Sequence, residues 1–135
     1  MILVDSSVWI DYFRGVESPQ VDRLDTLFET NQIVIGDLIL TEVLQGFAVK
    51  REFTEALELF NTVHLVRLGG YIISVQAAIN FQKLRARGFT IRKTIDSLIA
   101  TTCIAANYEL LHNDRDFLPF EKHLGLKSVI PATDN

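Results

Sequence analysis

The stretch MILVDSSVWIDYF, residues 1–13, decides the fold class. Ile2, Leu3 and Val4 form an uninterrupted apolar run, the pattern of a short strand buried on both faces of a parallel sheet. The run stops at Asp5, where such a strand would surface. Ser6 and Ser7 follow as helix caps, ahead of a helix whose apolar residues are Val8, Trp9, Tyr12 and Phe13. In open α/β sheets, ligands bind at the carboxyl ends of the strands. Asp5 therefore either caps the first helix or is placed for chemistry, and this stretch alone leaves both readings open.

The remaining chain repeats the alternation. Gly15 ends the first helix, and Ser18-Pro19 opens a second over residues 18–31, with Val21, Leu24, Leu27 and Phe28 on one face. Residues 33–35 form another buried strand, closed by Gly36 and Asp37. Residues 39–48 read as a helix striped by Ile39, Leu40, Val43, Leu44 and Phe47. Glu42 borders that stripe, because 3.6 residues per turn set it beside Ile39 and Val43. A helix over 51–61, a strand over 64–66 and a long helix over 71–87, stopped by Gly88, come next. Thr94 or Asp96 then caps a helix over 98–106. Asp96 shares its helical face with Ile99, Ala100 and Cys103 and so points inward, where a surface cap has no need to be. Leu110, Leu111 and His112 make a fourth strand, with Asp114 and Asp116 just past its end, and Val129-Ile130 is read as a last one. Strands alternating with helices predict an α/β fold with a mainly parallel central sheet, as one domain over residues 1–135.

Composition narrows the class. The chain has 135 residues, 48% hydrophobic and 22% charged, which suits a globular core and not a disordered segment. Its single cysteine, Cys103, excludes an intrachain disulfide and fits a cytoplasmic protein. No apolar run approaches a membrane span, and no basic signal-peptide head opens the sequence. The net charge of −4 argues, by itself, against a nucleic-acid partner. The distribution argues otherwise: Lys83, Arg85, Arg87, Arg92 and Lys93 fall within eleven positions holding no acid, a candidate phosphate-contacting patch. The bland reading of that patch is a solvated helix end beside Gly88.

Four acids stand out: Asp5 and Asp114 after strands, Asp96 on an inner helical face, and Glu42 beside an apolar stripe. Parallel strands bring Asp5 and Asp114 to one sheet edge. Clustered carboxylates persist only if protonated, paired with cations or holding a metal, and oxygen ligands without His or Cys favour Mg²⁺ or Mn²⁺ over zinc. Such an ion implies phosphoryl transfer or phosphodiester hydrolysis. Each acid has a bland alternative: Asp96 as a cap, Glu42 as a solvated flank, Asp116 as a turn residue. Asp37 also ends a strand and is the best decoy. Trp9, Tyr12 and Phe13 read as core or subunit interface, Cys103 as core, and none of His64, His112 and His123 as a ligand.

The segments ILVDSSVWID (2–11), LILTEVLQGF (38–47) and TIDSLIATTCIAANYELLHNDRDF (94–117) resemble the PIN-domain ribonucleases, in particular the VapC-type toxins of toxin–antitoxin pairs. The resemblance implies a three-layer PIN-like fold and a Mg²⁺- or Mn²⁺-dependent endoribonuclease. Asp5, Glu42, Asp96 and Asp114 match the family's four acids, with Asp5, Asp96 and Asp114 as metal ligands and Asp116 in an optional fifth place. Ser7 and Thr94 match hydroxyl positions near the site. Arg85, Arg87, Arg92 and Lys93 remain candidate RNA contacts. A VapB-like antitoxin whose C-terminal segment crosses the active-site groove, and a homodimer, are the partners implied. Two readings compete. An aspartyl phosphatase or phosphotransferase wants a second aspartate two residues after the first, where this chain has Ser7. A non-catalytic RNA- or protein-binding relative would have no use for four intact acids.

Overall fold

A computed structural model describes residues 1–131. Its sheet has four strands, β1 (Ile2–Val4), β2 (Ile33–Gly36), β3 (His64–Val66) and β4 (Glu109–Leu111), in the order β3-β2-β1-β4. All three pairings are parallel. The central pair is apolar and buried throughout at Ile2–Val4 and Ile33–Gly36, because helices cover both faces. The helices are α1 (Ser6–Phe13), α2 (Pro19–Leu27), α3 (Asp37–Leu44), α4 (Lys50–Phe60), α5 (Gly70–Ala86), α6 (Thr94–Ala106) and α7 (Leu118–His123). Right-handed crossovers put α1–α4 on one face, while the return from β3 across to β4 carries α5 and α6 over the other. The three-layer, parallel-sheet expectation is met.

Each layer is fixed by a few large contacts. Trp9 is fully buried and meets Phe60 of α4 edge-on, with ring centroids 4.9 Å apart. On the opposite face the buried Asn80 of α5 donates to Thr101 Oγ1 of α6 at 3.0 Å, so one amide sets the register of that helix pair. Gly36 admits Leu68, whose side chain occupies the space a Cβ there would need.

Several boundaries differ from the sequence reading. Asp5 caps α1, as one of its two readings held, its carboxylate accepting from the Ser7 N–H at 3.1 Å, while Ser6 and Ser7 lie inside the helix. Ser18 does cap α2, but that helix stops at Leu27, and Asn31 takes the left-handed conformation at φ 57°. Helix α3 begins at Asp37 and ends at Leu44, ahead of Gly46, where continuing would cost about 1 kcal/mol relative to alanine. Helix α6 begins at Thr94, and neither Thr94 nor Asp96 caps it; Lys93 holds that position without a side-chain bond. The expected fifth strand is a single bridge, Leu110 to Ser128. The 3-10 turn Arg115–Phe117 and the six-residue α7 are too short to carry a readable period.

Candidate metal centre

The centre forms where β1 and β4 end side by side. The Asp5 N–H donates to Leu111 O at 2.9 Å, extending the ladder by one rung, so Asp5 and the segment after β4 emerge together. Asp5 is 3% exposed. Its Oδ2 accepts from the Ser7 hydroxyl at 2.6 Å, and that hydroxyl accepts from the Asn113 N–H at 3.1 Å. Ser7 thus ties the two strand ends together. Asp114 Oδ1 accepts from the Asp116 N–H at 2.9 Å, which turns the chain into the 3-10 segment.

Asp96 enters from the first turn of α6 and is buried, as its helical phase predicted. Asp96, Asp114 and Asp116 each offer an oxygen, and the three lie within 4.8 Å of one another. An octahedral Mg²⁺ with oxygens at about 2.1 Å spans about 4.2 Å between opposite ligands, so a small rotamer adjustment closes the set. Asp96 Oδ2 and Glu42 Oε1 are buried with no hydrogen-bond partner. Orphaned carboxylate oxygens facing other carboxylates are unfavourable without a cation, and the donor set is oxygen only. The residues fit a hard divalent ion. Neither Asp5 nor Glu42 belongs to the close triad, and Asp116, an optional member by sequence, does.

Asp5 and Glu42 belong to the same electrostatic unit nevertheless. Burial, then the charges of Asp5 and Asp114, push the Asp96 carboxyl from 3.8 up to about 7, while Lys93 opposes them. Burial raises Asp5 against the bonds it accepts from Ser7, and Asp114 adds to the rise. Burial and the Asp5 charge raise Glu42, with Ser6 and Lys93 pulling the other way.

Two cations of the basic stretch meet the acids. Arg92 reaches Asp116 at 3.2 Å and Lys93 reaches Asp114 at 3.7 Å, both from exposed positions, so these two cations serve the acids. Arg85 lies over the Phe81 ring at 5.4 Å, while Lys83 and Arg87 are exposed. Thr94 is exposed, bonds to none of the carboxylates, and lines a cavity of about 510 Å³ between α5 and α6 with Phe81, Arg85 and Ser97. A second cavity, about 310 Å³, lies beside Glu42 and is lined by Ile10, Phe13, Val43 and Phe47. Asp37 is structural: its Oδ1 accepts from the Leu38 and Leu68 N–H groups at 2.8 and 3.0 Å. Cys103 is buried in the core and its thiol is pushed up to about 12, so it is no nucleophile. His112, read from the sequence only as no ligand, has a role that reading did not give: its Nδ1 accepts from the Asp114 N–H, and an isolated histidine at the end of an apolar strand carries no signal of that.

A PIN-domain family model matches residues 2–122. The ribonuclease VapC11 of Mycobacterium tuberculosis is 30% identical over 119 residues, covering 87% of this chain and 89% of that protein. Among solved structures, the VapBC2 complex of Rickettsia felis bound to a promoter DNA fragment contains a similar chain, with TM-score 0.71, 20% identity and coverage of 95% and 97%. VapC20 of Mycobacterium tuberculosis, described as a sarcin-ricin loop cleaving toxin, superposes with TM-score 0.67 at 16% identity over 97% of this chain and all of that one.

Proposed function

This chain belongs to the PIN-domain family of VapC ribonucleases, and from that premise we propose that it is a metal-dependent endoribonuclease, the toxin of a toxin–antitoxin pair. The observation that carries the reading is the convergence of Asp96, Asp114 and Asp116, with an unpartnered Asp96 oxygen, at the carboxyl edge of a parallel sheet. A bound Mg²⁺ or Mn²⁺ supplies an activated water and offsets charge on the phosphodiester. Asp96 and Asp114 would hold the ion, with Asp5, Glu42 and Asp116 completing the set directly or through water. Asp5 keeps one oxygen on Ser7, an arrangement suited to a fixed ligand and poorly suited to an aspartyl nucleophile. Arg85 and Arg87 are left to meet RNA phosphates, since Arg92 and Lys93 are drawn onto the acids.

A VapB-like antitoxin is the partner, its segment crossing the groove beside Glu42, where the cavity lined by Ile10, Phe13 and Phe47 offers an apolar seat next to an acidic one. Homodimerisation through α5 fits its outer side. Tyr71, Ile72, Val75 and Ile79 are exposed there, and residues 70–82 carry no charge. No helix among the described residues is long and apolar enough to cross a membrane, and we place the protein in the cytoplasm. The test is cleavage of cellular RNA with end mapping, with Mg²⁺, with Mn²⁺ and with chelator. Undiminished cleavage in chelator overturns the reading.

A further inference from the structure

His112 is buried directly behind Asp114, and its ring is engaged at both nitrogens. Nδ1 accepts the Asp114 N–H at 3.2 Å. An accepting Nδ1 carries a lone pair, so the ring proton of the neutral imidazole resides on Nε2. Nε2 lies 3.1 Å from Ser128 Oγ, in the segment that bridges back to β4, and 3.7 Å from Glu121 Oε1 on α7. Phe117 closes the ring's flank, with centroids 4.8 Å apart. The histidine is thereby fixed by three separate pieces of the C-terminal region, and its one remaining group faces Asp114.

We infer that His112 is a positioning residue: its Nδ1 holds the Asp114 backbone so that the Asp114 carboxylate is presented to the divalent ion. The inference rests on the metal-dependent reading of the centre. With its N–H held by the ring and its Oδ1 taken by the Asp116 N–H, Asp114 has Oδ2 left, directed to the open side where Lys93 meets it at 3.7 Å. That oxygen accepts no backbone hydrogen bond and is open to a metal. An apolar side chain at position 112 would leave the Asp114 N–H unpaired and free the segment 113–116 to shift. Groups that orient metal ligands in this way typically change affinity about 10–100-fold when removed. Through the same ring, Ser128 and Glu121 join the C-terminal segment to the acidic centre, although neither approaches it as a ligand.

Asparagine and glutamine separate this role from packing. Asn places an acceptor where Nδ1 was, whereas Gln places a polar group where Nε2 was. Mn²⁺ affinity is measured by titration calorimetry on the purified full chain for wild type, His112→Asn, His112→Gln and Ser128→Ala, with melting in chelator alongside. His112→Asn is expected to hold Mn²⁺ within about threefold of wild type, and His112→Gln to lose about tenfold or more. Ser128→Ala, on the surface side of the ring, should weaken Mn²⁺ binding a few fold while melting close to wild type. Equal loss in the Asn and Gln variants, or no loss in either, overturns the role of His112. An unchanged Ser128→Ala overturns the link to the C-terminal segment. Wild-type protein that binds no Mn²⁺ overturns the metal reading itself and His112's role with it.

Discussion

Asp5 is both of the things its sequence allowed: it caps α1 through the Ser7 N–H and stands among the acids at the sheet edge. A capping side chain is worth about 1 kcal/mol over alanine, and asparagine caps as well as aspartate. Asp5→Asn should therefore abolish metal-dependent cleavage while the metal-free protein melts no lower than wild type, one like-charge repulsion having gone. Asp5→Ala should melt lower by roughly that 1 kcal/mol. Equal losses of fold in both variants, with cleavage surviving, would leave only the cap. Asp96 sets a pH dependence of definite sign. Its folded pKa of about 7 lies above the ordinary 3.8, so the folded state binds that proton more tightly than the unfolded one. The resulting stability is complete below about pH 4 and is lost as pH rises through about 7. Asp5 and Glu42 are shifted in the same direction. Metal-free protein should accordingly unfold at less urea at about pH 8 than at about pH 5, and Asp96→Asn should flatten that difference. Divalent metal should reverse the trend, since it binds the ionised carboxylates.

From α5 to the start of α6 the cations fall into two pairs by position: Arg92 and Lys93 beside the acids, Arg85 and Arg87 away from them. Arg92 and Lys93 pair with Asp116 and Asp114, so the double neutralisation Arg92→Gln, Lys93→Gln should tighten Mn²⁺ binding about threefold to tenfold by removing competing charge. Neutralising Arg85 and Arg87 should leave Mn²⁺ affinity alone and reduce the salt slope of RNA binding by roughly one for each phosphate no longer neutralised. Identical effects from the two pairs would restore a single patch. Asp37 makes the contrasting case on α3: Asp37→Ala strips the acceptor from two backbone N–H groups and should lower stability by about 1–3 kcal/mol with metal affinity unchanged. These elements also mark how far the sequence was legible. Buried runs such as Ile2–Val4 and helices of two turns or more could be read, because burial and period leave a pattern. Helix phase brought Asp96 inward, and strand polarity brought Asp5 and Asp114 to one edge. Pattern could not reveal that Lys93 precedes α6 in the cap position without a capping bond, or that Asp114 turns so as to draw Asp116 into the triad. Nor could it show that Arg92 and Lys93 fold back onto the acids, or that His112 stands behind Asp114. Each of these depends on how separate or turning segments meet in space, and no local spacing encodes it.

At the scale of the whole molecule, an overall charge of −4 coexists with a half-buried acidic centre whose repulsion is relieved by protons or by cations. In the metal-free protein Arg92 and Lys93 give partial relief from exposed positions, where ion pairs are worth about 0–1 kcal/mol. A better-held cation should displace them. An arginine from the antitoxin segment can bring a planar fork of donors to Asp96 and Asp114, while apolar neighbours of that arginine fill the cavity lined by Ile10, Phe13 and Phe47. The same guanidinium would occupy the place of the metal, so neutralising the centre and inhibiting cleavage would be one event. Two consequences separate this from docking on apolar surface alone. Excess Mg²⁺ should weaken antitoxin binding to the wild type, and Asp96→Asn should weaken it further while abolishing the Mg²⁺ effect. Trimming the apolar seat, as in Phe47→Ala or Ile10→Ala, should lower affinity equally with and without Mg²⁺. Antitoxin affinities for wild type and Asp96→Asn, each with and without Mg²⁺, decide the matter. Four equal values would mean that the partner reads the apolar cavity and ignores the carboxylates.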